Sequence, residues 1–419
     1  MRRLPVLLLF LGSAPLLPGI GCFSSGGSVV ADRQVPEAIE EDARAVAQAN
    51  NQFACDLYGA LDDGNMFFSP FSISAALAMI DAGAAGDTDA ELRAALHFAL
   101  PGDRAHAAYG ALLDSLDVGR GFGGYTLATA DRLFGQKGYP FLPSYLAITR
   151  DDYGAELMPV DFAGDTEGAR RTVNDWVAGQ TDGKITELFG ADDLDESARL
   201  VLANAILFKG TWEHQFDPGD TSEAPFHLAD GSSVTAEMMS KEDTIAQTLI
   251  PGGRLGVLPF KGEDLAMVLL LPDSPDGLPA LEAQLTGAAL GEWIAAAHKG
   301  DEKATVRIPK FEMKDSFHVD AVLQALGVTS AFDPDLADFS AMDGQRDLYL
   351  QTTVHKAVIK VDEKGAEAAA ATGASMGATS VPEPFEADRP FTLLIYDQVT
   401  SSVLFMGRMA DPTAPSSDG

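Results

Sequence analysis

Two long apolar runs constrain the fold of this chain most. Residues 200–208 are almost unbroken in apolar character, and residues 265–271 form a second such run. Runs of this length predict strands, and a strand without polar alternation must be covered on both faces. Residues 391–396 are also predicted to form a strand, which turns through 398–402 and pairs with 403–406 as a hairpin. The second half of the chain therefore predicts sheets that are buried between other layers.

The first half of the chain shows helical periodicity instead. Apolar residues recur at a spacing near 3.6 in residues 73–84 and 169–178, and Phe53, Leu57 and Leu61 recur every four residues. Ser69 and Pro70 form a typical helix start just before the first of these segments. Helices concentrated early and strands concentrated late predict an α+β fold.

The 419 residues contain no long internal linker, charge block or repeat. We therefore predict a single domain over residues 36–412. Residues 22–35 are rich in Ser and Gly and are predicted to be a tether. Residues 413–419 are polar, with Pro and Gly, and are predicted to be a flexible tail.

The N-terminus has the features of an export signal. Arg2 and Arg3 precede an apolar run over residues 4–17, which is too short to span a membrane comfortably. Residues 17–22 resemble a bacterial lipoprotein cleavage box, which predicts a signal peptide over 1–21 and lipidation at Cys22. The expected location is extracellular or in the cell envelope, with membrane attachment only through this anchor. The alternative is a plain secretory signal with Cys22 unmodified.

The composition excludes several classes of partner. The formal net charge is −33, from 62 acidic and 29 basic residues. A chain of this charge is a poor ligand for polyanions, so neither nucleic acid nor heparin is an expected partner. Cys55 is the other cysteine of the chain and lies in a predicted helix, where we expect a buried thiol. If Cys22 carries lipid, no intrachain disulfide can form.

Sequence signals for an enzyme are weak. Residues 373–377 fit the G-x-S-x-G pattern around Ser375, but a nucleophile elbow needs a following helix, and Pro382 and Pro384 oppose one. The histidine of that class follows the serine, whereas the last histidine here is His355. Residues 179–185 are interpreted as a helix end and turn rather than a phosphate loop. Neither His nor Cys spacing indicates a metal site, so no cofactor or metal is expected.

The segment around Ser375 has an unusual pattern. Over residues 365–377, alternate positions place Ala366, Ala368, Ala370, Thr372, Ala374 and Met376 on one face. These are residues that a strand could bury, yet the alanines also favour helix, while the glycines and following prolines favour an exposed loop. Such a segment can serve as a two-state element. The alternative is a disordered Ala/Gly surface loop.

The flanks of this segment resemble the serpin family. Residues 361–371 look like the family's reactive-loop hinge, and 385–391 look like the segment where the loop rejoins the body. Further similar blocks follow in the family's order, at 65–74, 173–176, 183–185, 202–212 and 403–408. The resemblance implies three β-sheets, eight or nine helices and an exposed reactive-centre loop over about 363–384.

The resemblance also implies a function. A serpin inhibits serine endopeptidases as a suicide substrate and is not itself an enzyme: the protease cleaves the loop, and the loop inserts into the central sheet before the acyl-enzyme is hydrolysed. The alternative is a serpin-fold binding or carrier protein that does not inhibit. The chain is expected to act as a monomer.

Site residues follow from the same resemblance. Glu363 is the expected hinge acid and Lys310 its ion-pair partner, while Trp212 lies at the insertion point. A polar cluster beneath the opening sheet comprises Ser69, Ser72, Asn204 and His355. The hinge comprises Glu363, Gly365, Ala366, Ala368, Ala369, Ala370 and Ala371.

The reactive bond can be placed in two ways. Counting from the hinge gives Thr379–Ser380, whereas counting back from Phe385 gives Met376–Gly377. Neither choice has Arg, Lys or a bulky aromatic residue at the cut. The expected target is therefore an elastase-like or subtilisin-like protease rather than a trypsin-like one.

Overall fold

The computed structural model describes residues 35–61, 64–120, 125–299, 301–366 and 384–414. The predicted signal peptide, Cys22 and the tether before Val35 lie outside the described residues. The described residues contain ten α-helices: α1 Glu40–Ala60, α2 Pro70–Asp81, α3 Gly86–Ala95, α4 Gly102–Arg120, α5 Pro143–Tyr153, α6 Thr166–Gln180, α7 Leu278–Glu282, α8 Gly287–Ala297, α9 Asp320–Ala325 and α10 Ser340–Asp343.

Fifteen strands complete the described part of the fold. They are β1 Met66–Phe68, β2 Tyr125–Gln136, β3 Met158–Val160, β4 Leu200–Thr211, β5 Ser222–His227, β6 Ser233–Ile250, β7 Gly253–Pro259, β8 Leu265–Pro272, β9 Asp301–Pro309, β10 Phe311–His318, β11 Val354–Val361, β12 Gly365–Ala366, β13 Phe385–Glu386, β14 Phe391–Asp397 and β15 Ser402–Met409.

The elements predicted from periodicity are confirmed. The helices expected around Phe53, over 73–84 and over 169–178 are α1, α2 and α6. α2 begins earlier than the apolar spacing indicated because the Ser69 hydroxyl caps it, accepting a hydrogen bond from the Ser72 N–H at 3.0 Å. The apolar runs form β4 and β8, and the predicted hairpin forms β14 and β15. The segment 179–185 ends α6 and turns, as expected.

The strands form two hydrogen-bonded ladders. One has six strands in the order β10-β11-β4-β2-β3, with β12 also paired to β4. The other has nine, in the order β1-β15-β14-β8-β7-β6-β9-β13, with β5 paired to β6. The three expected sheets appear as two ladders because the 18-residue β6 pairs with β5 and β9 along its first part and with β7 at its end. The described helices number ten rather than eight or nine, and α7, α9 and α10 have six residues or fewer.

β4 is covered on both faces, as its apolar sequence predicted. Ile206 and Phe208 belong to the core between the two ladders. Ala203, Ala205 and Leu207 pack instead with Val173 and Val177 of α6. Alternate residues of β4 therefore point toward opposite layers, and the even-numbered ones face the interior of the domain.

Cys55 is 7% exposed within α1, so the predicted buried thiol is confirmed. Burial, with a smaller contribution from the neighbouring Asp56 carboxylate, raises the pKa of this thiol to about 12. The thiol is therefore inert at neutral pH. No helix in the described part of the chain has the length and apolar character needed to cross a membrane.

Candidate functional site

The six-stranded ladder has a short junction between two of its interior strands, β4 and β11. β2 pairs with β4 continuously from Tyr125 opposite Gly210 to Gly135 opposite Leu200, and β10 pairs with β11 along its full length. By contrast, β11 and β4 are parallel and pair only where residues 356–358 lie opposite 205–207. We call this junction the seam. Because this pairing is short and parallel, the sheet can open there with a small loss of hydrogen bonds.

The chain turns sharply where it leaves β11 above the seam. The Asp362 N–H donates to the Gly365 carbonyl at 2.9 Å, and the Gly365 N–H donates back to the Asp362 carbonyl at 3.1 Å. Gly365 and Ala366 then pair antiparallel with Thr211 and Gly210 of β4. The expected hinge thus begins as a strand on the edge of β4. Its remaining alanines, Ala368, Ala369, Ala370 and Ala371, lie outside the described residues.

Trp212 anchors this turn. Its backbone N–H donates to the Lys364 carbonyl at 2.9 Å, and its indole Nε1–H donates to the Asp362 carbonyl at 3.0 Å. The ring is 1% exposed and stacks on Phe260 with ring centroids 4.8 Å apart. Trp212 therefore holds the turn through both its backbone and its buried indole, and so fixes where the chain crosses from β11 toward β4.

The position of Gly365 requires a glycine. Its φ is +140°, and a Cβ there would overlap the Gly210 carbonyl oxygen and lie 2.7 Å from the Thr211 Cα. Only a residue without a side chain allows the turn to approach β4 this closely.

The structure brings Glu363 and Lys310 together, with 3.2 Å between the Lys310 Nζ and a Glu363 carboxylate oxygen. The same oxygen accepts a hydrogen bond from the Thr221 hydroxyl at 2.8 Å. Burial disfavours the charged carboxylate, but hydrogen bonds from its own N–H and Thr221, together with the Lys310 charge, leave its pKa lowered. The hinge acid is therefore ionised and tied to both strand β9's end and the loop before β5.

The four residues of the expected polar cluster lie together beneath the seam. The Ser69 N–H donates to His355 Nε2 at 3.0 Å, so His355 carries its proton on Nδ1 and donates to the Asn204 side-chain oxygen at 2.8 Å. The Asn204 amide in turn donates to the Ser72 hydroxyl at 2.6 Å. One chain of hydrogen bonds therefore joins α2, β4 and β11, and separating the two strands breaks it.

His355 makes this cluster sensitive to acid. The side chain is 1% exposed, and burial lowers its pKa to about 3 from the usual 6.5. Because the folded pKa lies below the unfolded one, the stabilisation is complete above about pH 6.5 and is lost progressively as the pH falls toward 3. A protonated ring would also direct a second donor at the Ser69 N–H.

We expect the intact protein to lose more stability on acidification than a variant without this imidazole. Between pH 7 and 5, His355→Gln should reduce the fall in the free energy of unfolding by about 2 kcal/mol. Guanidinium unfolding at both pH values measures the difference. His106→Gln is the matched comparison: burial also lowers that histidine's pKa, to about 4, so this variant should flatten the pH slope by a similar amount, although its ring bonds to Tyr153 away from the seam. An equal pH slope for wild type and His355→Gln would contradict the assignment.

Several residues that contribute to the site carry no signal in the sequence. Thr221 comes from a segment without a motif, and Phe260 is a single aromatic residue beyond β7. The Leu404 carbonyl, which accepts from the Ser69 hydroxyl, is backbone and leaves no sequence signal. Both candidate reactive bonds, Thr379–Ser380 and Met376–Gly377, lie outside the described residues. Within the described ranges, no group of three or more His, Cys, Asp or Glu side chains is arranged to hold a metal ion.

A central sheet with a short seam, and a hinge already paired to one side of it, defines a class of protein that can add a strand to its own sheet. Comparison with known proteins identifies the class. Residues 48–412 match the profile of the family described as serpin (serine protease inhibitor). The chain therefore belongs to the serpin family.

Curated relatives cover nearly the whole fold. Leukocyte elastase inhibitor A of Mus musculus is 41% identical over 379 residues, spanning 88% of this chain and 99% of the relative. Leukocyte elastase inhibitor of Homo sapiens is 40% identical over the same shares. Among solved structures, uncleaved ovalbumin is similar at a TM-score of 0.80 and 30% identity, covering 88% of this chain and all of that one. An Arabidopsis serpin in its native stressed conformation gives 0.77 and 30%, over 90% and 99%.

Proposed function

We propose that this serpin traps an elastase-like or subtilisin-like serine protease by acting as its suicide substrate. The observation that carries the proposal is the pairing of Gly365 and Ala366 with β4. It supports the proposal because the first residues of the loop already occupy the position that a full inserted strand would extend. The intact protein is thus at the beginning of the movement that trapping requires.

The protease supplies the nucleophile that cleaves the loop, and this chain supplies the strand that inserts into the sheet. The protease serine attacks the carbonyl of the reactive bond, the amine of the next residue leaves, and an acyl-enzyme forms. Water would then hydrolyse the ester. Insertion competes with that step, because the new strand gains hydrogen bonds to both β4 and β11 and buries one of its faces.

The length of the loop is sufficient for this movement. The residues from Gly365 to Thr379 extend about 50 Å at ~3.3 Å each. That reach carries an attached protease from one end of the six-stranded sheet to the other.

Loop composition and relatives support the choice of protease. Small Ala378 and Thr379 precede the first candidate bond, which suits a shallow specificity pocket. Two of the relatives above are named leukocyte elastase inhibitors. The alternative bond after Met376 would suit a subtilisin-like pocket for a medium apolar side chain.

Mixing the protein with elastase-like, subtilisin-like and trypsin-like proteases tests the proposal. We expect a covalent band at the summed mass on a denaturing gel with one of the first two, and not with the third. Mass spectrometry of the released C-terminal peptide then identifies the cut from its first residue. Clean cleavage without that band across the panel would contradict inhibition and favour a serpin-fold binding or carrier protein.

We further propose that the protein is a bacterial lipoprotein exported as a monomer and anchored through Cys22. The support is the basic and apolar N-terminus and the small Gly21 before that cysteine. Cells labelled with a radioactive fatty acid should give a labelled wild-type protein and an unlabelled Cys22→Ser variant. Equal absence of label from both would overturn the anchor and leave a plain secretory signal.

A further inference from the structure

We call the end of the six-stranded sheet where β4 begins, away from the hinge, its lower end. A cavity of about 80 Å³ lies there. It is bounded on one side by the start of β4 and on the other by residues 347–353, which lead into β11. It therefore lies in line with the seam, on the side away from the hinge. Its apolar wall is contributed by Leu77 and Ile80 of α2, Leu200 and Leu202 of β4, and Leu348 and Leu350.

The inner wall of the cavity belongs to the core of the domain. Leu77, Ile80 and Leu348 are buried in one hydrophobic cluster, and Leu200 and Leu202 pack against it. The rest of the lining includes the polar side chains Arg199, Asp347 and Gln351. An apolar wall that faces unfilled space lacks the van der Waals contacts that close packing would give it. A side chain that entered it would recover them.

The hinge pairing fixes which loop residue reaches this level. Gly365 lies opposite Thr211 and Ala366 opposite Gly210, so each step along the loop is one step back along β4. Ten more steps take the loop from Ala366 to Met376 and β4 from Gly210 to Leu200. β4 is regular over this length, because its register with β2 runs without a shift from Gly210 to Leu200. A strand that continues the observed pairing therefore brings Met376 opposite Leu200.

The same register matches the two faces residue by residue. Directly opposite residues of an antiparallel pair point to the same side of a sheet, so Met376 shares the inner face with Leu200. Ala368, Ala370 and Ala374 come opposite the bulky Phe208, Ile206 and Leu202. Thr372, the polar residue on this loop face, comes opposite Asn204, whose amide and carbonyl belong to the polar cluster.

We propose that this cavity receives the Met376 side chain of the inserted loop and thereby fixes the end point of insertion. The inference rests on the insertion mechanism proposed above. Met376 is the large apolar side chain on the inward face of residues 365–377. The inward residues before it are alanines and a threonine, so Met376 is the one large enough to fill the cavity beside Leu200. Unbranched and flexible, methionine suits an irregular apolar space. The cavity is thus an anchor for one side chain rather than a general ligand pocket.

Unfolding of the cut protein tests this proposal. The full chain is cleaved in the loop by a metalloprotease, which forms no acyl-enzyme and cannot be trapped, and mass spectrometry selects a cut on the C-terminal side of Met376. Wild type, Met376→Leu and Met376→Gln are compared before and after cleavage. Leucine keeps an apolar side chain of similar volume, whereas glutamine keeps the length and adds a polar amide.

We expect the three intact proteins to unfold at the same guanidinium concentration, because β4 and β11 pair directly with each other before cleavage. After cleavage, wild type and Met376→Leu should be strongly stabilised, and Met376→Gln should unfold at a midpoint lower than theirs by roughly half a molar. Equal midpoints for all three cut proteins would overturn the role of the cavity while leaving insertion intact. Failure of the cut wild type to gain stability would instead contradict the insertion mechanism itself.

A thiol probe gives a second measurement in the same molecules. In a Cys22→Ser background, Met376→Cys should react with a thiol reagent in the intact protein and become protected after cleavage, while Cys55 stays inert in both because it is buried. Unchanged reactivity after cleavage, in protein that has gained stability, would also overturn the proposal.

Discussion

Ala370→Arg is expected to convert the inhibitor into a substrate. Continuing the hinge register places residue 370 opposite Ile206, which is fully buried in the middle of the seam. An arginine there would be an unpaired charge in the core, at a cost of several kcal/mol to the inserted state. Since each 1.4 kcal/mol is a factor of ten between competing outcomes, the yield of covalent complex should fall at least about tenfold. Densitometry of the complex and cleaved bands measures this ratio.

Glu367→Arg is the matched control for that substitution. It adds the same side chain three residues earlier, on the opposite face of the loop. The hinge register places this residue beside Lys209, near the end of the sheet where the hinge pairs with β4. The Lys209 side chain is 22% exposed, so the arginine can keep its charge in water. We expect this variant to trap protease at close to the wild-type yield. Normal trapping by Ala370→Arg would refute insertion in this register.

Gly365→Ala is expected to displace the hinge from β4 and to reduce trapping by roughly ten- to a hundredfold. The new methyl group would overlap the Gly210 carbonyl, and the backbone would be held at a φ that alanine rarely adopts. Strain of this kind costs about 1–3 kcal/mol, and the overlap adds to it. Because the turn must move away, the first strand pairs are lost. The measurement is the rate of complex formation under excess inhibitor.

Gly138→Ala separates backbone strain from the loss of pairing. Gly138 also has a positive φ, of 79°, but a Cβ there meets no atom within 4 Å. This variant should lose a little stability and trap protease normally. If both glycine variants trapped equally well, the pairing of the hinge with β4 would have no role in insertion.

The sequence predicted the elements of this fold better than their pairing. Apolar periodicity located α2 and α6, whereas unbroken apolar runs located β4 and β8, because those strands are covered on both faces. It could not reveal that β6 pairs with β5, β7 and β9 and so joins two expected sheets into one ladder, since pairing depends on partners far away in the chain. For the same reason, family resemblance suggested that Lys310 meets Glu363, but not that Thr221 shares the same oxygen.

The cavity at the lower end of the sheet also could not be predicted from the sequence. Its walls come from α2, the start of β4 and residues 347–353, which are remote from one another in sequence. The alternating pattern over 365–377 places Met376 and Ser375 on opposite faces of a strand. The register of the hinge with β4 then shows which residue of β4 Met376 would meet. A loop pattern identifies a face, whereas only a paired strand identifies its opposite residue.

The position of β14 in the nine-stranded ladder determines what happens to the protein after its loop is cut. β14 lies between β8 and β15, and all of β13 to β15 follow either candidate reactive bond. A cut in the loop therefore turns one chain into two that share a sheet, and the smaller one stays in place without a covalent link. Any later unfolding would let that fragment diffuse away, so recovery would require a second-order encounter between separate polypeptides. Each molecule can consequently be used once.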